Sequence, residues 1–334
     1  MTVSVVVPTY NRAELLERTI PALANQATNG VSYDVHFVDD GSRDGSSELL
    51  EKASIRYADR IHCHFLPHSG GPSAPRNHGI RNCSGELLIL LDDDIIPDSD
   101  FVLRHWEFHQ RTPDNRAVAI GELYMSPDVR RDPMSLFFDF PYGELRKQRN
   151  PGYLFFWSGN ISLKRCFMLQ HGMFRDDGSL PLLEDMECGY RLAQQGMRLH
   201  FHPAARGLHV HKMQNSWVAA KGYSTGRAQY ALTQIVPDVA VKSRFGVLSR
   251  DLPLPLLAWR LLRRAAFRCI DNPLTIAMLR AMGAKRPVRS KLSDFYYYLI
   301  FRRNMLQGYR DAERGLGHSR ARQTAELQSE ARAL

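Results

Sequence analysis

Long apolar runs are the first thing this 334-residue chain lacks. No uncharged stretch reaches the ~20 residues a membrane-spanning helix needs, which argues against a bundle embedded in lipid. The start, Met1-Thr2-Val3-Ser4, enters a strand-like segment without the basic and then apolar pattern of a signal peptide. Cysteine is sparse: Cys63, Cys83, Cys166, Cys188 and Cys269 are odd in number, far apart and form no CxxC pair. That excludes a zinc ribbon, argues against a disulfide framework and favours a reducing, cytoplasmic setting. Internal repeats and low-complexity tracts are missing too. What is there is ordinary for a chain with a real core: 44% hydrophobic, 24% charged and 10% aromatic residues. The length suggests roughly two domains.

Charge is distributed unevenly. From residue 240 onward there are 19 Lys+Arg and 7 Asp+Glu, whereas the preceding residues hold 25 basic and 28 acidic side chains. A basic tail on a slightly acidic body points to an anionic surface, either nucleic acid or lipid headgroups.

The first 100 residues alternate between strand and helix signals. Val3 to Val7 is a β-branched run closed by Pro8-Thr9-Tyr10-Asn11, and Asn11 is placed to cap a helix with Glu14 three residues on. Strands are expected at Val35–Val38, Ile61–Leu66 and Leu87–Leu91, with helices over Ser46–Tyr57 and Ser73–Cys83. That rhythm predicts an α/β fold, a parallel sheet with helices on both faces, whose ligands sit at the carboxyl ends of the strands. Residues 120–240 are less regular, and 241–318 read as helical. We expect three regions, 1–120, 121–240 and a basic helical 241–334.

Several clusters could carry chemistry. Asp92-Asp93-Asp94 ends a buried strand, where three carboxylates repel unless a cation neutralises them. Asp92 and Asp94 leave a strand on the same side, and hard oxygen ligands suit Mg²⁺ or Mn²⁺ with phosphate oxygens. An acidic turn capping the next helix is the plain alternative. Asp39-Asp40-Gly41-Ser42 closes another strand and could accept base N–H groups, or form an Asx turn. Arg76 and Asn77 follow the Gly70-Gly71 loop, a candidate pyrophosphate cradle that matches neither a Walker loop nor GxGxxG. Glu184, Asp185 and Glu187 open a helix whose dipole favours ionised carboxylates; Glu187 can pair with Arg191 four residues on. His200, His202, His209 and His211 form two HxH pairs, of which His209 is favoured to complete coordination begun by Asp94.

Taken in order, Val7-Pro8-Thr9-Tyr10-Asn11-Arg12, Val38-Asp39-Asp40-Gly41-Ser42, Arg76-Asn77, Asp92-Asp93-Asp94 and Glu184-Asp185 resemble the family 2 glycosyltransferases of the GT-A fold. The likeness spans residues 1 to about 215. It implies a Rossmann-like, mostly parallel sheet followed here by a C-terminal helical extension. It places Pro8, Tyr10, Asn11, Asp39, Asp40, Arg76, Asp92 and Asp93 at the nucleotide sugar, and Asp94 with His209 at a Mn²⁺ or Mg²⁺ ion. Asp185 falls at the catalytic base, and Trp157, Gly159, Asn160 and Glu184 on the acceptor side. Pro75 departs from the family's usual small Ala before Arg-Asn. The implied function is inverting, metal-dependent transfer from a nucleoside-diphosphate sugar, UDP-linked by preference, to a glycan or lipid-linked hydroxyl in polysaccharide or glycoconjugate synthesis. A sugar nucleotidyltransferase would want a basic Gly-rich loop near the N-terminus, and a non-catalytic scaffold would not need both acidic clusters.

Leu256 to Cys269 places Arg260, Arg263, Arg264 and Arg268 on one helical face and Leu257, Leu261, Leu262 and Ala265 on much of the other. Asp294 to Arg303 adds an aromatic belt ending in charge. Basic helices with apolar faces lie in membrane interfaces, so residues 250–303 are expected at an anionic inner membrane surface rather than on nucleic acid. A cap packed on the catalytic domain is the competing reading.

Overall fold

Burial on both faces of the central strands sets the architecture. In the computed structural model, which describes residues 1–131, 142–148, 150–210, 217–244, 254–282 and 289–316, β1 (Val3–Thr9) and β4 (Leu87–Leu91) are buried along their whole length. Successive side chains leave a strand on opposite faces. Val3, Val5, Val7, Leu87, Ile89 and Leu91 accordingly meet Leu16, Leu23, Leu50 and Phe101 in one core. Val6, Leu88 and Leu90 meet Ile80, Phe156, Ile161 and Leu192 in a second core. Two covered faces explain unbroken Val/Ile/Leu runs in place of an alternating pattern.

The chain divides into two compact units, Met1–Ser126 with Phe140–His211, and Pro127–Asp139 with Lys212–Leu334. The first holds an eight-stranded sheet in the order β3-β2-β1-β4-β7-β6-β8-β5. Here β2 is Tyr33–Asp39, β3 Ile61–Phe65, β5 Ile95–Pro97, β6 Ala117–Met125, β7 Asn160–Lys164 and β8 Arg198–His209. β1 pairs in parallel with both β2 and β4, and β2 in parallel with β3. The sheet then turns mixed, with β7 antiparallel to β4 and β6. Strand order reverses at β1, so the crevice beyond its carboxyl end is where such a sheet binds ligands. Pro8 sits beyond the β4 pairing, which stops at Val6, so its missing N–H interrupts no ladder on that side.

The helices α1 (Ala13–Ala24), α2 (Ser46–Arg56), α3 (Ser73–Asn82) and α4 (Phe101–Arg111) connect these strands. One expectation is corrected: Asn11 does not cap α1. It lies at φ 53°, a left-handed conformation that Asn tolerates, and accepts a hydrogen bond from Arg43 N at 2.8 Å. The donors at the start of α1 are instead satisfied from the loop before α2: Ala13 N donates to Asp44 Oδ2 and Arg12 N to Ser46 Oγ. Residues 1–120 and 121–240, expected as the nucleotide-sugar and acceptor halves of one domain, share a single sheet, and β6 runs through the border between them. The second unit takes up the chain again from Lys212, ahead of the expected 241.

In the second unit α9 (Trp217–Ile235) packs along α13 (Lys291–Glu313). Their backbones touch because glycine stands at the crossing. A Cβ on Gly226 would lie 1.9 Å from Met305 O, and one on Gly308 2.0 Å from Tyr223 O. Tyr223 Oη donates to Asp311 at 3.2 Å beside this contact. Together with α12 (Pro273–Ala281), α13 buries Ile276, Leu279, Tyr296, Tyr297 and Leu299. We expect Gly226→Ala to cost about 1–3 kcal/mol through overpacking. Gly143→Ala, where a Cβ meets nothing within 4 Å, should leave the thermal midpoint unchanged or slightly higher. Paired melts by circular dichroism check this, and equal midpoints would refute the close crossing.

Candidate active site

Arg76 is the joint of the crevice. α3 carries it inward until it is 4% exposed, with Nη2 donating to Asp92 Oδ1 and Nη1 to Glu184 Oε1, each at 2.7 Å. Asp92 follows β4; Glu184 opens α8 (Glu184–Gln194). Residues far apart in sequence are thereby held on one guanidinium, whose planar fork suits two carboxylates. Burial by itself would lower the proton affinity of Arg76, but Asp92 and Glu184 outweigh it and raise the pKa. Glu184, expected on the acceptor side, is therefore a buried strut. Arg76, expected beside the nucleotide, reaches that region only through Asp92.

The other two aspartates of the cluster diverge. Asp93 Oδ1 lies 3.5 Å from Arg12 Nε, and burial together with the charge of Asp94 pushes its pKa up to about 7. Asp94 Oδ2 lies 3.5 Å from His209 Nε2 at the end of β8, the pairing the sequence suggested. A carboxylate oxygen and an imidazole nitrogen form a donor set that Mn²⁺ accepts and that suits Mg²⁺ less well. Beyond its own charge, Asp92 needs room: a Cβ on Gly159 would stand 2.8 Å from Asp92 Oδ2. Gly159 O also accepts from Asp92 N at 3.1 Å. Gly159 thus shapes the acidic cluster.

Asp185 stands next to the strut. Leu183, just before α8, has φ 67°, a strained value for a side chain of that size, and Asp185 Oδ1 accepts from Met186 N at 2.7 Å. The helix dipole leads one to expect a low pKa here. The structure reverses this: burial first, then the charge of Glu184, pushes Asp185 up to about 7, against the lowering effect of Arg76. Glu187 forms the expected pair, taking Arg191 Nε and Nη2 at 2.8 and 3.0 Å.

At the carboxyl end of β2 the two neighbouring aspartates part company. Asp40 Oδ1 accepts from Ser69 N at 2.9 Å, and its Oδ2 lies 2.8 Å from His68 Nδ1. The His68 ring stacks on Tyr10, centroids 4.1 Å apart at 16°. Tyr10 and His68 are both exposed and make a flat aromatic surface at the crevice mouth. His68 had no assigned role, since a stack between such distant residues leaves no periodic signal. Asp39, by contrast, faces inward and accepts from Ser42 N, Ser42 Oγ and Ser47 Oγ, so its work is to shape the loop.

Two further expectations change. Asn160 is buried: its Nδ2 donates to Ala205 O at 3.1 Å and its Oδ1 lies 3.0 Å from His105 Nε2, which ties β7 to β8 and α4. It lines no acceptor surface. His200 and His202 do share a face, but that face packs on Phe108 of α4, at 5.5 and 5.4 Å between centroids. Trp157 is half-buried against Tyr142 and Phe155. His211 lies outside the described residues. The Gly70-Gly71 loop and Ser73 line a small pocket with Arg175 and Asp176, while Arg76 and Asn77, the residues expected to complete a cradle there, are not among its lining.

The mixed sheet with flanking helices is the GT-A fold of solved glycosyltransferase structures. Residues 4–171 match the Glycosyl transferase family 2 profile, half of the chain, and the chain belongs to that family. It is 27% identical over 303 residues to a validoxylamine A glucosyltransferase of Streptomyces hygroscopicus subsp. jinggangensis, covering 80% of this chain and 66% of the relative. It is 31% identical over 137 residues to a poly(ribitol-phosphate) β-glucosyltransferase of Bacillus spizizenii, covering 41% and 21%. The chain therefore spans only part of the length of these relatives. Among solved structures, the mannosyltransferase PcManGT of Pyrobaculum calidifontis, in complex with GDP-Man and Mn²⁺, superposes with a TM-score of 0.61 at 18% identity, covering 92% of this chain and 86% of that one. The expected fold is thus the one found.

Removing the joint should be costly. Arg76→Met leaves Asp92 and Glu184 close together and uncompensated, and we expect it to destabilise the fold by about 3–5 kcal/mol. Arg76→Met/Glu184→Leu should recover at least half of that loss in urea unfolding. Equal stability of wild type and single variant would show the bridge to be dispensable.

Proposed function

We propose that this chain is an inverting, metal-dependent glycosyltransferase that moves a sugar from a nucleoside diphosphate, UDP by preference, to a hydroxyl of a glycan or lipid-linked acceptor. The observation that carries the reading is the Arg76 bridge. It ties Asp92 and Glu184, the near neighbours of Asp94 and Asp185, to one guanidinium, which supports reading Asp94 as part of a cation site and Asp185 as a proton acceptor in one crevice. The solved mannosyltransferase complex with GDP-Man and Mn²⁺ supports a divalent cation here. Asp94 and His209 would hold it, and when bound it offsets negative charge on the departing diphosphate.

The protein groups divide the remaining work. Tyr10 and His68 offer a stacking face for the base, and Asp40 orients His68. Asp185 accepts the proton of the acceptor hydroxyl as that oxygen attacks the anomeric carbon from the face opposite the leaving group. A raised pKa makes Asp185 a stronger base once ionised. Because the ionised form is the active one, kcat/KM should be full above about pH 7 and fall about tenfold per pH unit below it. Asp185→Asn should bind a UDP-sugar with Mn²⁺ nearly as wild type does, while kcat drops about 10²–10⁴-fold. Near-normal turnover in that variant would remove Asp185 from its role.

The second unit supports contact with an anionic membrane face, as on the inner side of a cell membrane. Among the described residues no helix is long and apolar enough to cross one. On α12, Leu274 is 79% exposed, and Met278 and Met282 continue its stripe at four-residue spacing. Leu254, Trp259 and Leu262 of α11 (Leu254–Ile270) are exposed as well. An apolar stripe in a basic region suits a headgroup interface. The aromatic belt is narrower than the sequence implied, since Tyr296, Tyr297 and Leu299 are core residues. We expect co-sedimentation with phosphatidylglycerol vesicles but not with phosphatidylcholine, reduced roughly tenfold or more by Leu274→Glu/Met278→Glu. Binding that ignores the double variant would sink the α12 assignment.

A further inference from the structure

A second cluster of ligating side chains lies on the same sheet, away from the crevice. Asp34 and His36 leave β2 on the face opposite Val35 and Phe37, and His36 is the register partner of His62 on β3. One ligand atom from each of Asp34, His36 and His62 falls within 4.8 Å of the others. The cluster sits three register positions before Asp39, about 10 Å along the strand.

The polar chemistry of this cluster is incomplete. His36 is 5% exposed, and its Nε2 faces Asp34 Oδ1 at 3.4 Å. Among the described residues these two atoms have only each other, at a length beyond good hydrogen-bond geometry. One long contact between two such groups leaves room for a further partner. The other nitrogen of His36 is engaged: Nδ1 lies 3.0 Å from His64 Nε2, and His64 Nδ1 lies 3.3 Å from His78 Nε2 on α3. In the tautomer where Nδ1–H donates at each step, the Nε2 lone pair of His36 is left for a cation held beside Asp34. Metal-bound imidazoles are arranged in that way, with the distal N–H held by a partner that fixes ring and tautomer. His62 is exposed, so an ion could enter from solvent and keep a water ligand.

We propose that Asp34, His36 and His62 form a second divalent-metal site, which takes Zn²⁺ or a similar imidazole-preferring ion. Two imidazoles and one carboxylate suit Zn²⁺ and disfavour Mg²⁺, so this occupant differs in kind from a diphosphate-bound cation. The ion joins the edge strand β3 to β2 and, through the relay, to α3, the helix that carries Arg76. Its role is to brace the sheet edge, and it needs no part in sugar transfer.

Co²⁺ is the probe, added to the tag-free full-length protein. One equivalent should give the visible absorption of a four-coordinate site, displaced by Zn²⁺. The band should persist in Asp94→Asn and vanish in His62→Ala, an exposed position whose loss leaves the far-ultraviolet spectrum unchanged. Zn²⁺ affinity should fall by about 100-fold or more in His62→Ala. Zn²⁺ should raise the thermal midpoint of wild type and Asp94→Asn but not of His62→Ala. A missing band in the wild type, a band surviving His62→Ala, or one lost with Asp94→Asn would each overturn the site. None of these outcomes depends on whether the chain transfers sugar.

Discussion

One buried guanidinium organises the crevice. Arg76 is held by carboxylates from β4 and α8, so the acidic end of a parallel strand and the start of a helix far along the chain cannot separate without exposing unpaired charge. Each partner alone would be a poor buried residue. Together they hold the acidic end of β4 at a fixed distance from the start of α8. The orientation of α3, and with it the Gly70-Gly71 loop, follows from where that side chain must end.

Around this joint the charges are graded rather than neutral. Asp92 is compensated by Arg76, while Asp93 has Arg12 only at 3.5 Å and retains a pKa near 7. Asp94 faces His209. An additional positive charge is what such a sequence of aspartates invites, and a diphosphate would bring negative charge that needs it. Asp185 lies at the far side of Arg76, where Glu184 and burial keep its proton affinity high. Local crowding there outweighs the helix dipole, whose effect is screened and short-ranged.

Much of the sheet could be read directly. The central strands β1 and β4 are nearly continuous apolar runs closed by polar turns, and Leu87–Leu91 coincides with its expected limits. The nearness of Asp94 to His209 was likewise suggested by where the two residues stand in the sequence. Direction of facing was not. Asp39 and Asn160 look like ligands in sequence but spend their hydrogen bonds inside the fold. Asn11 adopts a left-handed turn, which a capping pattern does not reveal. The Asp34–His36–His62 group depends on the register of two strands and escapes any search for motifs along one chain. Tyr296 and Tyr297 read as an interface belt because periodicity alone does not say which side a partner helix will take.

The contact between α9 and α13 has a consequence for biosynthesis. Strands β1 to β8 end at His209, so the whole sheet has left the ribosome well before Gly308 is made. Domains fold as units from the N-terminus during synthesis, at about 5–20 residues per second. The helix bearing Gly222 and Gly226 must then wait for roughly another 80 residues, some 4–16 seconds at those rates, with its packing surface unmatched. During that interval the nascent chain carries a finished sheet beside an unfinished helical segment, and that is when a chaperone would have most to hold.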